Sequence, residues 1–436
     1  MKKLLLSLAM AFGAINSGFA ADLYVNNSGQ SGTYTTIQAA INAASTGDNI
    51  YVSPLNSYQE SLSITKSIRI ASSVSGSRII VTQNIKISPL ANILVELIGI
   101  EGTSVILDSQ TSTLGPNSRG KAIITDCSFH DVDLNTDYLT LLVVKCSLSG
   151  TLTGRHGKVI GNTITEKLVI NDEPNIGIGD SIIIKANQID NGITIATNDH
   201  SLIIQNNKTA FIKVDNWLYG SQVNCLISNN TITATTIFTS TDQGYYDYQN
   251  TDTKSGYRIH IASTSTNLSN VKITNNALIC PQSVPNGNSA YRHRYWYRFI
   301  GTSGSTVTVE PDISYNLDVQ TPEGNSSYTT IYKGNSTYAT GIYTLIEKSD
   351  ITDPMDETSV TNYLHSFKDL GSPSPKFQDI DLTRSSIGHL GGDNSWEMFH
   401  GANSVSGAAY IIGLDLPSEI WPGQTVNLKA EAVHTN

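Results

Sequence analysis

Lys213 and Asp215 stand two residues apart in Ile212-Lys213-Val214-Asp215. On an extended strand they share one side, about 7 Å apart. A cation that holds a carboxylate and an acid that takes a proton are what eliminating a uronic acid requires. The same spacing also suits an ordinary surface ion pair. Trp217 and Tyr219 follow closely. Asp133 would sit four strands away, about 19 Å at the usual strand spacing, too far to cooperate.

A second constellation is Tyr291-Arg292-His293-Arg294-Tyr295-Trp296-Tyr297-Arg298-Phe299. From Pro281 to Val309 there is no acidic residue, so this stretch carries a charge of about +3. Aromatic faces stack on sugar C–H surfaces, and arginine pairs bidentately with carboxylate or sulfate. Tyr291, Arg292, Arg294, Tyr295, Trp296 and Arg298 are therefore candidate ligand contacts. Tyr245, Tyr246 and Tyr248 form a second aromatic group around Asp247. The alternative role for both groups is packing against the body of the protein. Asp379 and Asp381 are the pair whose spacing would suit a calcium ion; beside Arg384 they equally suit a turn with an ion pair. No other cofactor is expected.

The chain has 436 residues and a formal charge of −10. That sign disfavours nucleic acid as a partner, since a phosphate backbone needs clustered positive charge. Only 15% of residues are charged, against about 25% in an average soluble domain. Residues 1–20, MKKLLLSLAMAFGAINSGFA, read as a secretory leader: two lysines, an apolar stretch and the small-residue site Gly18-Phe19-Ala20. Its removal moves the charge from −10 to −12. No later run is apolar enough to span a bilayer. The expected location is outside the cytoplasm: extracellular, cell surface or periplasmic. Cys127, Cys146, Cys225 and Cys280 show no zinc spacing.

Self-comparison finds a repeat. Short apolar triplets each precede one corner position, filled in turn by Cys127, Cys146, Asn162, Asn187, Asn207, Asn230, Asn276 and Asn316. The intervals are 19, 16, 25, 20, 23, 46 and 40 residues, the last two long enough for an insertion or an extra coil. About 20 residues per repeat, rich in Ile, Val and Thr, suits one coil of a parallel β-helix. The recurring residue would then stack on itself about 4.8 Å apart. Asn suits an inward corner because its amide bonds both the next amide and the turn backbone. Cys127 and Cys146 read as compact members of the same column, with a disulfide between them left open. A second strand after each corner places Asp133, Val169, Thr194 and Lys213 outward. Thr36 to Ala44 has helical apolar spacing and is expected to cap one end of the coil. The final segment, from Ala409, alternates as short strands around Pro422-Gly423. It is too small to stand alone and is expected to pack on the far end.

Residues 35–64, TTIQAAINAASTGDNIYVSPLNSYQESLSI, resemble the opening of the pectin-lyase-like superfamily of right-handed parallel β-helices. The TIQ-A-AI--A helix, the GD-I-V strand and the Ser57-Tyr58-Gln59-Glu60 turn carry that resemblance. GSPSPKFQDIDLTRSSIGHLGGDNSW, residues 371–396, resembles the closing segment of secreted bacterial β-helix repeat proteins. Asp379, Asp381, Arg384, Gly388, Gly391 and Gly392 match, whereas Leu382 replaces a glycine and His389-Leu390 replace Ala-Tyr. The resemblance implies a fold and leaves the activity open, because that superfamily holds lyases, esterases, hydrolases, tailspikes and non-catalytic proteins. The signature blocks of pectin esterases, polygalacturonases and pectate lyases are missing here, with Thr197-Asn198-Asp199-His200 only an isolated echo.

The sequence thus predicts an all-β right-handed parallel β-helix with an N-terminal capping helix and a small β-rich C-terminal segment. Its expected parts are a leader at 1–20, a cap at 21–60 and the β-helix at 61–320, with insertions near 238–268 and 281–308. C-terminal coils with the closing segment at 321–408 and the tail at 409–436 follow. The expected function is binding of carbohydrate, in particular an acidic polysaccharide or surface glycan, through the aromatic and basic loops. A polysaccharide lyase or hydrolase with an unrecognised site is the first alternative, a structural or adhesive surface protein the second.

Overall fold

The computed structural model describes residues 20–108, 119–171, 181–197, 200–217, 224–233, 259–263, 267–279, 297–301, 309, 311–320, 343–348, 357–379, 381–393, 395–400, 409–415 and 429–434. The leader, apart from Ala20, lies outside them.

The chain winds into a parallel β-solenoid. One coil shows the plan: Leu202–Gln205 lies on the first face, Lys208–Thr209 on the second and Ile212–Trp217 on the third. Among the described residues the first and second faces form a continuous 22-stranded sheet, and the third is a separate sheet of 10 strands, from Leu62–Ile64 to Tyr297–Gly301. Neighbouring coils pair in parallel and in register; Leu202–Gln205, for example, lies between Ile182–Lys185 and Cys225–Ser228. Alternation explains the register. Ile193 and Ile195, like Ile212 and Val214, are fully buried while the residue between each pair faces out. A one-residue slip would turn every such pair to solvent.

From Leu94–Ile98 onward, each coil turns between the first and second faces on one residue of positive φ. These residues are Gly99, Asp126, Lys145, Gly161, Ala186, Asn206, Asn229, Asn275 and Tyr315. The residue after each is the recurring corner. Asn162, Asn187, Asn207, Asn230, Asn276 and Asn316 are fully buried and stacked. From Asn187 on, the Oδ1 of each accepts the backbone and side-chain N–H of the Asn one coil earlier, at 2.9 to 3.0 Å. The column continues into the thiols: Cys146 N donates to Asn162 Oδ1 at 2.8 Å, and Cys127 N donates to Cys146 Sγ at 3.4 Å. Cys127 and Cys146 are free thiols, so the disulfide left open by the sequence is not formed.

Asn230 bonds Asn276 directly, and Asn276 bonds Asn316. Each long interval is therefore a single coil carrying an insertion. The insertions are shorter than expected. Ile259–Ser263 and Tyr297–Gly301, placed by the sequence inside 238–268 and 281–308, are strands of the third face. Ile259 and Ile261 keep the inward alternation, which the flanking polar sequence concealed.

Helix Ile37–Ala43 closes the N-terminal end, burying Ile37, Ala40 and Ile41. Thr36 Oγ1 accepts from Ala39 N at 3.1 Å, and the Glu60 carboxylate accepts from Ile37 N at 2.7 Å and Gln38 N at 2.9 Å. An acid at a helix N-terminus satisfies orphan donors and meets the positive end of the dipole.

The C-terminal part departs from expectation. Tyr343–Lys348 adds one more rung to Asp312–Gln320. Helix Glu357–His365 and the chain after it are no coils: they run back along the outside of the solenoid, over the column of positive-φ corners. Arg384 lies over the ring of Tyr315 at 5.6 Å. Ser372 N donates to Asn275 Oδ1 at 2.6 Å, and Asn229 Nδ2 donates to Ser385 Oγ and Ser386 O. Further back, Asn206 Nδ2 donates to His389 O and Gly391 O, and Phe399 packs on Gly161. The terminal hairpin, Ala409–Asp415 with Lys429–His434, buries Tyr410 and Val433 against Leu142, Val144 and Ile160. It therefore covers the flank of the middle coils, not the far end: the outward apolar residues Leu142, Val144 and Ile160 need cover there. Among the described residues no helix is long and apolar enough to cross a membrane.

Candidate functional site

The third face carries a column set by register. Its members, coil by coil, are Ser63, Lys86, Ile106, Asp133, Thr153, Val169, Thr194, Lys213, His260 and Arg298. Three basic residue types thus follow one another at the C-terminal end of the sheet, about 4.8 Å apart along the solenoid axis. Lys213 Nζ meets Asp215 Oδ2 at 2.7 Å, with side chains 19% and 28% exposed. The two occupy one side of Ile212–Trp217 as the alternation requires, and the register shift between Val214 and Trp217 follows immediately. His260 is buried, at 8% exposure. Asp133 lies four rungs from Lys213, as counted from the sequence.

Both long connections join strands of this part of the solenoid. Residues 234–258 connect Thr231–Thr233 to Ile259–Ser263, and residues 280–296 connect Ala277–Ile279 to Tyr297–Gly301. Their starts are neighbours, Thr233 opposite Ile279, and so are their ends, Ile259 opposite Tyr297. Two aromatic-rich connections therefore leave and rejoin the solenoid on adjacent rungs, the second returning directly into Arg298. Tyr245, Tyr246, Tyr248, Tyr291, Arg292, Arg294, Tyr295 and Trp296 themselves lie outside the described residues.

Sequence reasoning missed His260, because Ile259–Ser263 was read as part of an insertion. The Ile-His-Ile alternation was the available signal. Chemically, basic residue types spaced along one register column beside an acid suit a chain of carboxylates or sulfates. Lys213 and Asp215 engage each other directly, so a ligand carboxylate that binds Lys213 competes with Asp215 for the ammonium.

Asp379 and Asp381 lie elsewhere, bordering a cleft of about 210 Å³ with Leu364, His365 and Lys368. Asp379 is occupied: its carboxylate accepts from Ser386 N at 3.0 and 3.1 Å, from Ser386 Oγ at 2.6 Å, and from Gly392 N. Asp381 accepts from Thr383 Oγ1 at 2.6 Å and Thr383 N at 3.1 Å, which hold its carboxyl below the usual range. Arg384 turns away from both acids, donating to the carbonyls of Gly371 and Leu370. The geometry is that of a hydrogen-bonded turn that shapes the returning segment. Among the described residues no three His, Cys, Asp or Glu side chains gather as a metal site.

Comparison with protein-family models, with curated proteins and with solved structures returns no match.

Proposed function

We propose that this is a secreted or cell-surface β-helix protein of the pectin-lyase-like kind that binds acidic polysaccharide across the outer side of its third face. The reading rests on one juxtaposition: Lys213, His260 and Arg298 share a register column where the two aromatic insertions rejoin the sheet. A rigid solenoid fixes the spacing of such groups without ordering cost, which is the usual advantage of a preorganised site. A polysaccharide repeats its anionic groups along one axis, as this column repeats its basic residues. Aromatic side chains in the insertions supply stacking surface for the sugar rings. Export by the N-terminal leader brings the protein to where such polymers occur.

A panel of acidic and neutral polysaccharides, titrated against the purified protein, tests this. Acidic polymers are expected to bind with a strong salt dependence, and Lys213→Ala combined with Arg298→Ala is expected to weaken binding by about 100-fold, two charged contacts at roughly tenfold each. Binding that ignores these residues, or that favours neutral glycans, overturns the reading.

A further inference from the structure

The exposed Ala20 and Ala21 stand at the entrance to the first strand, Asp22–Val25. Ala21 N donates to Asp48 Oδ1 at 2.7 Å, and Ala21 O accepts from Asn49 N at 2.9 Å. Asp48 is 6% exposed, an unusual position for a carboxylate. Its second oxygen accepts from Ser45 N at 2.7 Å, and its own carbonyl accepts from Arg69 N at 3.1 Å, so the residue is clamped between the capping turn and the next coil. Nearby cations are engaged elsewhere: Arg69 meets Glu96, and Lys66 donates to the carbonyls of Asn42 and Ala44. Among the described residues, the hydrogen bonds to the Asp48 carboxylate come from the backbone N–H groups of Ala21 and Ser45.

We infer that the Ala20–Ala21 bond is the processing site of this chain, and that the α-ammonium created on Ala21 forms an ion pair with buried Asp48 that locks the capped end of the solenoid. Two independent observations converge on one bond. The small-residue pattern Gly18-Phe19-Ala20 ends at it, and the nitrogen it would release already points at a buried carboxylate. In the hydrolysis, delivered by a peptidase of the export route, water adds across the amide. The C–N bond breaks, oxygen from water joins the Ala20 carbonyl carbon as a carboxylate, and Ala21 N takes up protons to become an ammonium. An α-amine has an ordinary pKa of about 7.7–8.0, so it is largely charged at neutral pH. A neutral N–H···O contact thereby becomes a charge-assisted one in a partly desolvated place. The leader would thus hold the cap in its weaker form until export is complete. The inference depends on the leader and is independent of what the third face binds.

The test begins with the intact mass of the exported protein, expected to start at Ala21. Unfolding rates are then compared for the chain beginning at Ala21 and for one beginning at Ala20, each with and without Asp48→Asn. In the Ala21 chain, Asp48→Asn is expected to speed unfolding on the order of tenfold, and in the Ala20 chain far less. The one-residue extension alone, which leaves Asp48 intact, should also speed unfolding. A mature start other than Ala21, or an equal effect of Asp48→Asn in both chains, overturns the inference.

Discussion

Asn187 hangs from Asn207: the Oδ1 of Asn207 accepts both the backbone N–H and the side-chain amide of Asn187, each at 2.9 Å. Asn207 in turn donates to Ile184 O at 2.9 Å, to Gln205 O at 3.0 Å and to Asn230 Oδ1 at 3.0 Å. One side chain thus ties three coils together with its polar atoms fully used in a dry interior. Such a network is stable only while complete.

Replacing Asn207 by Ala removes the acceptor of the Asn187 backbone N–H and a donor to Ile184 O, Gln205 O and Asn230 Oδ1. Each buried orphan costs about 1–3 kcal/mol, so a total of at least about 3 kcal/mol is expected, read as a faster unfolding rate in denaturant. Asn162→Cys is expected to be milder than Asn162→Ala, because Cys146 already shows that a sulfur can accept the N–H of the coil before it. Equal costs for Cys and Ala would contradict the stacking account.

Leu382 adopts φ of +64° and is 76% exposed. A leucine in left-handed backbone costs roughly 1–2 kcal/mol, and an exposed side chain loses little packing when removed. Leu382→Gly is therefore expected to stabilise the returning segment by about 1 kcal/mol, seen as slower cleavage in limited proteolysis. Faster cleavage would mean that the side chain has a contact partner of its own.

Cys225 is fully buried, and desolvation pushes its thiol from 9.0 up to about 12; burial raises that of Cys146 as well. The folded chain keeps these protons where the unfolded chain has released them. Stability from this source is whole below pH 9 and falls as the pH climbs from 9 towards 12. Native protein at pH 8 should resist alkylation at Cys127, Cys146 and Cys225, and peptide mapping after denaturation should find all three modified. Rapid native labelling at any of them would refute the burial.

Ion-paired Lys213 and Asp215 are expected to support binding without turnover. Incubation with uronate polymers should leave the ultraviolet absorbance of an unsaturated product at baseline. Steady product formation that disappears in Lys213→Ala would instead make the third face a lyase site.

The coil repeat was legible because its cause is local and periodic. Triplets of Ile, Val and Leu ending in Asn or Cys mark where each coil must turn inward. The first residue of the doublets Asn206-Asn207, Asn229-Asn230 and Asn275-Asn276 carries a signal of its own. Asn tolerates positive φ better than most residues, and here its outward amide holds the returning chain. His260 was harder to see, since its strand sits behind a polar insertion in sequence.

Alternation and corner chemistry, read from the sequence alone, determined the solenoid, its register, its helical cap and the outward position of Lys213. They act between neighbours along the chain or between equivalent residues one repeat apart. Tertiary structure alone decided that residues 357–379, 381–393 and 395–400 fold back over the corner column, that the hairpin covers Leu142 and Val144, and that Lys213, His260 and Arg298 share one register column. Those outcomes depend on contacts between segments separated by many tens to hundreds of residues, such as Lys145 with Tyr410 at 3.0 Å. No local periodicity encodes them; they follow from which outward apolar and amide groups the wound solenoid leaves to be covered.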